Sequence, residues 1–331
     1  MNSFDTVHLL VPVEGLNGYD SASFTEKAEL DEAGKPVSSE LQLKRGAEKP
    51  LGLAGVKITD AGVDLTLSAK TLGSRYIEGL SEETLGLAVS AIRPLVDVEL
   101  DALLDADLYR VDSTSNIRPT DVRRAILSVG TLGQLNGKYR LTDYGGQGED
   151  GFVFTARAKS RDERLSGYDK MREMLSRKKT AYTLGVENFE GVLRIESNIR
   201  HREQMREFLG LSDSYMFRDA LRSEKKPNLI LFDKIIGNGS DMLAEMNRIH
   251  RTEGIGVKHF QNIGIDRVIE LHGGNWKAIE KYVLLQYGGK SKPSRLLKQV
   301  KQRVVLYHAR QREAENLLDE VSEVRELLRV A

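Results

Sequence analysis

Gly191-Val192-Leu193-Arg194-Ile195-Glu196-Ser197-Asn198-Ile199-Arg200 alternates along its length. Leu193, Ile195 and Ile199 fall on one set of positions, and Arg194, Glu196 and Asn198 on the other. A period of two is that of a β-strand with one face against a core, so the three polar residues share a face. Leu108-Tyr109-Arg110-Val111-Asp112-Ser113-Thr114 repeats the arrangement, with Arg110, Asp112 and Thr114 together. A carboxylate on an inward strand face is destabilising unless it is paired or bound to a cation. If the two strands are neighbours, Asp112 and Glu196 offer two oxygens to one hard divalent ion such as Mg2+ or Mn2+. The same residues allow another reading, in which the carboxylates pair with Arg110, Arg194 or Arg200 or face solvent.

Outward from these strands, antiparallel signals dominate. Asp5–Val13 is aliphatic and β-branched and predicts a first strand buried on both faces. Ser21–Leu30 and Pro36–Leu43 predict a hairpin around Gly34, and Gly55–Thr59 and Gly62–Ser68 a second one turning at Asp60-Ala61-Gly62. Ser81 is placed to cap a helix running to Arg93, which Pro94 interrupts before a second helical piece over Asp97–Ala106. Pro119 and Thr120 open an amphipathic helix that Asn136-Gly137 stops. Gly151–Arg157 and Arg164–Tyr168 are further strands, Asp169–Lys178 a helix, and residues 201–222 helical. Hairpins mixed with a few helices, without strict alternation, predict an α+β domain over residues 1–225. Residues 226–331 lack a strand pattern. Asp266–Leu271, a Gly273-Gly274-Asn275 turn and Trp276–Tyr287 read as helix, turn, helix, followed by a long helix over Ser294–Arg329.

The chain has 331 residues, 40% of them hydrophobic, which is enough for a sizeable core. It has no cysteine, so disulfides, thiol catalysis and cysteine-ligated metals are excluded. Lys+Arg and Asp+Glu both number 49, so any nucleic-acid face must come from local clustering rather than net charge. Met1–Gly15 shows no signal-peptide pattern, and no run approaches the roughly 18 apolar residues of a membrane span. The expectation is a cytoplasmic protein without membrane contact.

Between the two alternating strands lies Arg164-Leu165-Ser166-Gly167-Tyr168-Asp169-Lys170-Met171-Arg172-Glu173. Tyr168 is a candidate nucleophile. Its ordinary pKa near 10 makes it weak at neutral pH unless a cation lowers that value and neutralises the group under attack. Lys170 is placed for both tasks, and Glu173 either holds a metal or orients Lys170. The bland alternative is a half-buried tyrosine beside a surface lysine.

In order along the chain, these pieces resemble those of the rolling-circle replication initiators of filamentous phages, the gene II type. They are more distantly similar to the replication initiation factor family of Gram-positive plasmids. Val63–Leu72 resembles a strand ending in a Ser-Pro-x-Lys-like turn, Leu108–Asp112 the Arg-Ile-Asp strand, Leu165–Glu173 the Tyr-x-Lys-x-x-Glu segment, and Val192–Glu196 the Arg-x-Glu strand. The similarity covers roughly residues 3–222. Ala69 stands where the phage proteins often have proline, and Val111 replaces the usual residue before the aspartate. The resemblance implies that Tyr168 attacks a phosphodiester of origin DNA, becomes linked to the 5′ phosphate and leaves a 3′ hydroxyl. It also implies Asp112 and Glu196 as metal ligands, Lys170 as the group stabilising phosphate charge, recognition of an origin hairpin, and cooperation with a host helicase. Many rolling-circle nucleases hold metal through a His-hydrophobic-His pair. The six histidines here form no such pair, so carboxylates must do most of that work.

Basic residues cluster at Arg177, Lys178 and Lys179; at Arg200, His201, Arg202 and Arg206; and at Lys290, Lys292, Arg295, Lys298, Lys301 and Arg303. These are the candidate DNA contacts, and solvated helix faces are the alternative. The 3–4 apolar spacing after Ser294 admits a homodimer seam or packing against the same chain. Besides a nicking enzyme, the pattern suits a non-catalytic DNA-binding replication regulator or a scaffold that dimerises through its last helix.

Overall fold

The computed structural model describes residues 2–30, 36–134, 136–144, 151–158, 162–176, 180–212, 214–237, 257–286, 294–311 and 314–331. The fold is α+β: a large antiparallel sheet with flanking helices, followed by a mainly helical C-terminal region. The chain divides into two compact units. One comprises Met1–Val122, Glu163–Leu231 and Leu327–Ala331, and the other Arg123–Asp162 and Phe232–Glu326. The boundary expected near residue 225 lies close to the Leu231–Phe232 division, and Arg123–Asp162 groups with the stretch that follows it.

In the first unit the strands are β1 (Phe4–Val11), β2 (Leu16–Tyr19), β3 (Phe24–Leu30), β4 (Pro36–Leu43), β5 (Leu53–Thr59), β6 (Gly62–Ser68), β7 (Val96–Val98) and β8 (Asp107–Ile117). The second unit holds β9 (Tyr139–Asp143) and β10 (Gly151–Ala156), and the first resumes with β11 (Arg164–Asp169) and β12 (Leu193–Ile199). Eight strands of the first unit lie side by side in the order β3-β4-β5-β6-β1-β8-β12-β11, while β2 and β7 form a separate pair. The β8 and β12 strands are antiparallel neighbours, with Asp112 opposite Asn198, Thr114 opposite Glu196 and Asn116 opposite Arg194.

The register sorts the sheet into two faces. Val7, Leu9, Val11, Val63, Leu65, Leu67, Val111, Ile195 and Ile199 alternate onto one face and are buried there. At about 1.5–3 kcal/mol per aliphatic side chain, this layer anchors the unit. The other face carries Thr6, His8, Asp64, Arg110, Asp112, Glu196 and Asn198, all half-buried. The first strand is thus not buried on both faces, because its alternation is real and His8 belongs to the polar side.

Two helix expectations change. Helix α1 (Leu85–Ile92) starts after Thr84, whose Oγ1 donates to the Gly79 carbonyl at 2.7 Å and accepts from the Ser81 amide at 2.9 Å. After Pro94, residues 96–98 are drawn into pairing with β2, which leaves only α2 (Leu100–Leu104) helical. Tyr139–Asp143, not foreseen as a strand, is held by its pairing with β10.

The remaining helices are α3 (Val122–Gly133), α4 (Lys170–Ser176), α5 (Arg202–Gln204, continuing as a π-turn to Leu209), α6 (Phe217–Arg222), α7 (residues 227–237), α8 (Val257–Leu271), α9 (Trp276–Gln286), α10 (Ser294–Gln311) and α11 (Ala314–Val330). Ile269, Ile279, Val283, Val300 and Val304 form a core among α8, α9 and α10. The apolar seam of the last two helices is therefore largely covered by its own chain, with Val321 and Leu328 also buried. Gly274, at φ 75°, turns α8 into α9; a Cβ there would meet His308 at 2.7 Å. No helix among the described residues is long and apolar enough to cross a membrane.

Gly62 closes the β5–β6 hairpin at φ 143°, and a Cβ there would lie 2.2 Å from the Val11 carbonyl oxygen. Because the obstacle is backbone, Gly62→Ala should destabilise the protein by about 1–3 kcal/mol, read as a lower urea midpoint. An unchanged midpoint would mean that the strand edge yields freely.

Candidate functional site

Three strands and one helix start converge on the polar face. Tyr168 of β11 stands opposite Arg194 of β12, which stands opposite Asn116 of β8. Residues directly opposite in an antiparallel pair point to the same side, so Tyr168, Arg194 and Asn116 form one row. Ser166, Glu196 and Thr114 form the next row. At the end of β11 the Lys170 amide still bonds to the Val192 carbonyl at 3.2 Å, and the chain then turns into α4. Glu173, one turn on, receives the Lys170 ammonium at 2.8 Å.

The Tyr168 hydroxyl donates to Glu196 Oε1 at 2.7 Å. Lys170 Nζ lies 5.4 Å from the centre of the Tyr168 ring and 5.1 Å from that of Tyr76. Arg194 is 1% exposed. Its Nε donates to Asn116 Oδ1 at 2.9 Å, and its Nη1 donates to Tyr76 Oη at 2.7 Å and to Asp5 Oδ1 at 2.9 Å. The same Nη1 lies 3.7 Å from Glu196 Oε1. Tyr76 arrives on a 3-10 segment, Ala69–Glu78, which Ser68 starts by bonding Thr71 Oγ1 and the Lys70 amide. This is the turn expected to resemble Ser-Pro-x-Lys, and its effect is to carry Tyr76 into the site.

Burial and charge pull the ionisable groups in different directions. Burial works against the Asp5 charge, but Arg194, Tyr76 and Lys170 outweigh it and hold the carboxyl below its usual range. Burial, together with repulsion from Asp5, pushes Glu196 up against the pull of Arg194, Lys170 and the Tyr168 hydrogen bond. Asp112 is also raised, by burial and Asp5, although Arg110 and Asn198 oppose this. Burial lowers Lys170, helped by Arg194 and resisted by Glu173 and Glu196. The bland reading of Lys170 as a surface lysine does not hold, since it is 4% exposed.

Among the described residues, no three histidine, aspartate or glutamate side chains gather as a metal-holding group. The site offers Asp112 and Glu196, diagonal to one another across β8 and β12, with Thr114 between them in the register. Thr114 Oγ1 is buried and has no hydrogen-bond partner among the described residues. Two carboxylates and an orphaned hydroxyl are an all-oxygen set, the kind that suits a hard divalent cation. In the arrangement described, Asp112 is bonded by Arg110 at 2.9 Å and by Asn198, and Glu196 by Tyr168. Glu173 is ion-paired with the Lys170 ammonium.

Tyr168, Lys170, Asp112, Glu196 and Glu173 all belong to the first unit. Asn198, already placed on that face by the alternation, joins them, as do Asp5, Tyr76 and Asn116, which had not been singled out. Asn116 was readable, as it continues the strand alternation of Arg110, Asp112 and Thr114. Asp5 sits at a β-bulge, where pairing shifts register between Phe4 and Thr6, and alternation cannot place such a residue. Of the expected DNA contacts, Arg200 and Arg202 are exposed, the latter 5.0 Å over the Tyr215 ring. Arg295 and Lys298 are exposed on α10. Lys301 is half-buried, 5.7 Å over the Trp276 ring, and is lowered by burial and by Arg157. Arg303 is 8% exposed, and its guanidinium forks onto Asp266. Lys178, Lys179, Lys290 and Lys292 lie outside the described residues.

The stability owed to the Asp5–Arg194 pair should depend on pH in a definite sense. A carboxyl whose folded pKa is depressed stabilises above its unfolded value of about 4, and loses that contribution as pH falls through the folded value. Asp5→Asn should cost about 3 kcal/mol at pH 7, because it strips a buried cation of its partner. The deficit should shrink below about pH 4. Urea titrations at pH 7, 5 and 3 check this, and a deficit of constant size would contradict it.

No protein-family profile matches the sequence, and no curated protein is significantly similar to it. A solved structure described as a rolling circle replication initiator protein from Geobacillus stearothermophilus is 13% identical, covers 60% of this chain and 73% of its own, and superposes with a TM-score of 0.29. That is a loose, partial likeness to the initiator fold, and it assigns no role to any residue here.

Proposed function

We propose that this protein is a rolling-circle replication initiator that nicks and rejoins origin DNA through Tyr168. The observation that carries the reading is the Tyr168 hydroxyl held 2.7 Å from Glu196, with the Lys170 ammonium 5.4 Å from the same ring. A phenol, a proton acceptor and a cation brought together are what phosphoryl transfer to tyrosine needs. Tyr168 Oη forms the new bond to phosphorus as its proton passes to Glu196 Oε1. The bond from phosphorus to the 3′ oxygen breaks, and that oxygen takes a proton from solvent water to leave as a free 3′ hydroxyl. The DNA remains attached to Tyr168 through its 5′ phosphate, and the reverse reaction rejoins the strand. Lys170 opposes the charge that grows on the phosphoryl oxygens, held in place by Glu173. Asp112 and Glu196 would hold Mg2+ or Mn2+, which when bound supplies Lewis-acid stabilisation of the phosphate.

The helical unit supports a DNA partner by its charge. Residues 257–311 carry eleven lysines and arginines against three acidic residues, in a chain whose total charge is zero. Such an asymmetry is an electrostatic footprint for a polyanion. We assign phosphate contacts to Arg295 and Lys298 on α10, with Lys290, Lys292, Lys178 and Lys179 as expected additions, and to Arg200 and Arg202 beside the site. A double-stranded origin with a single-stranded hairpin and a host helicase remain the partners the resemblance implies.

Supercoiled plasmid carrying the protein's own replicon, incubated with Mg2+ or Mn2+, should yield open circles bearing protein on the 5′ end. Tyr168→Phe should yield none, and Lys170→Met should slow nicking about 100-fold. Nicking that survives in Tyr168→Phe would move the nucleophile. No nicking by the wild-type protein, with tight DNA binding intact, would favour the non-catalytic regulator. In fluorescence anisotropy, Lys298→Ala should weaken DNA binding and reduce the salt slope by about 0.9. Arg303→Ala should instead lower stability, because it removes the buried guanidinium fork onto Asp266.

A further inference from the structure

Resting on that reading, we propose that Asp5 and Tyr76 are positioning residues: by holding Arg194 off Glu196 Oε1 they leave that oxygen to accept from Tyr168, and so set where the Tyr168 hydroxyl points. The Arg194 guanidinium is tethered on two sides. Asn116 receives Nε, while Asp5 and Tyr76 receive Nη1. Tyr76 Oη also donates to Asp5 Oδ1 at 2.6 Å, so the three groups close a ring of hydrogen bonds. A planar guanidinium held at Nε and Nη1 has no remaining freedom to rotate. In that fixed orientation Nη1 stops 3.7 Å from Glu196 Oε1, beyond hydrogen-bond reach. The same oxygen is left to accept from Tyr168. Were Arg194 to move about 1 Å closer, it would compete with Tyr168 for that oxygen.

The same geometry leaves Tyr76 a structural donor rather than an attacking group. Its hydroxyl hydrogen is committed to Asp5, its oxygen accepts from Arg194, and the Arg194 and Lys170 cations lie 4.7 Å and 5.1 Å from its ring centre. Burial pushes the phenol well above its ordinary value, which leaves it a donor and not an attacking group. Of the two tyrosine hydroxyls in the site, one is bound on both sides by fixed partners, and the other is aimed by them.

The test combines a rate with a spectroscopic readout that needs no nicking. Protein carrying 3-fluorotyrosine gives a 19F line for Tyr168, assigned by its loss in Tyr168→Phe. Tyr76→Phe keeps the ring and removes only the tether, and Asp5→Asn is the second variant. Each should shift the Tyr168 line, whereas Tyr215→Phe should not. Each should also slow single-turnover nicking about 10- to 100-fold while changing the Kd for origin DNA less than about twofold. A Tyr168 line unmoved in both variants would overturn the positioning role, as would a rate loss matched by an equal loss of DNA affinity. If the wild-type protein nicks nothing, the proposed activity fails, but the 19F result still decides the positioning claim.

Discussion

A cation that cannot reach water dictates much of the first unit. Arg194 projects from near the start of a central strand into a site with almost no solvent, and a buried guanidinium is tolerable only if its donors are met. The fold supplies acceptors from three distant places: the first strand, the segment after the second hairpin, and the strand next door. Each must be in position before the charge can be buried, so the network links parts of the chain that are up to 189 residues apart. Aromatic rings complete the enclosure, with Phe189 5.3 Å and Tyr76 4.7 Å from the guanidinium carbon. The reactive-looking groups, Tyr168 and Glu196, border this enclosure and inherit its rigidity.

Much of the sheet was legible because period-two alternation is a direct record of one buried face. Arg110, Asp112 and Thr114, and Arg194, Glu196 and Asn198, share faces as expected, and the strands that carry them are neighbours. Local pattern was silent where the decisive contact is non-local. Residues 96–98 follow a helix and a proline, yet they become a strand because β2 is there to pair with them. Tyr139–Asp143 is a strand for the same reason. Asp5 lies on a bulge, and Tyr76 on a short 3-10 segment, where neither helical nor strand periodicity applies. The strand-borne half of the site was therefore readable, and the half that holds Arg194 was not.

Charge runs were only partly readable for a related reason. Arg295, Lys298, Lys301 and Arg303 look alike in sequence, but a helix turns them onto different faces. Arg303 falls beside Asp266 and pairs with it, Lys301 rests on Trp276, and Arg295 and Lys298 reach solvent. A basic run thus measures the potential of a region better than it names the residues that act in it.

The division of the chain into two units has a topological consequence for dissecting the protein. Both termini belong to the first unit, and the second is assembled from two internal excursions. Leu327–Ala331 return to the first unit, where the Arg329 carbonyl receives the Lys226 ammonium at 2.5 Å. Shortening the chain from its C-terminus therefore does not peel off a module. It unpicks the end of the first unit before it reaches the second, and it strands Arg123–Asp162 without the helices it packs with. The two bodies are nested like an interrupted sentence, and only paired internal excisions can separate what each of them does.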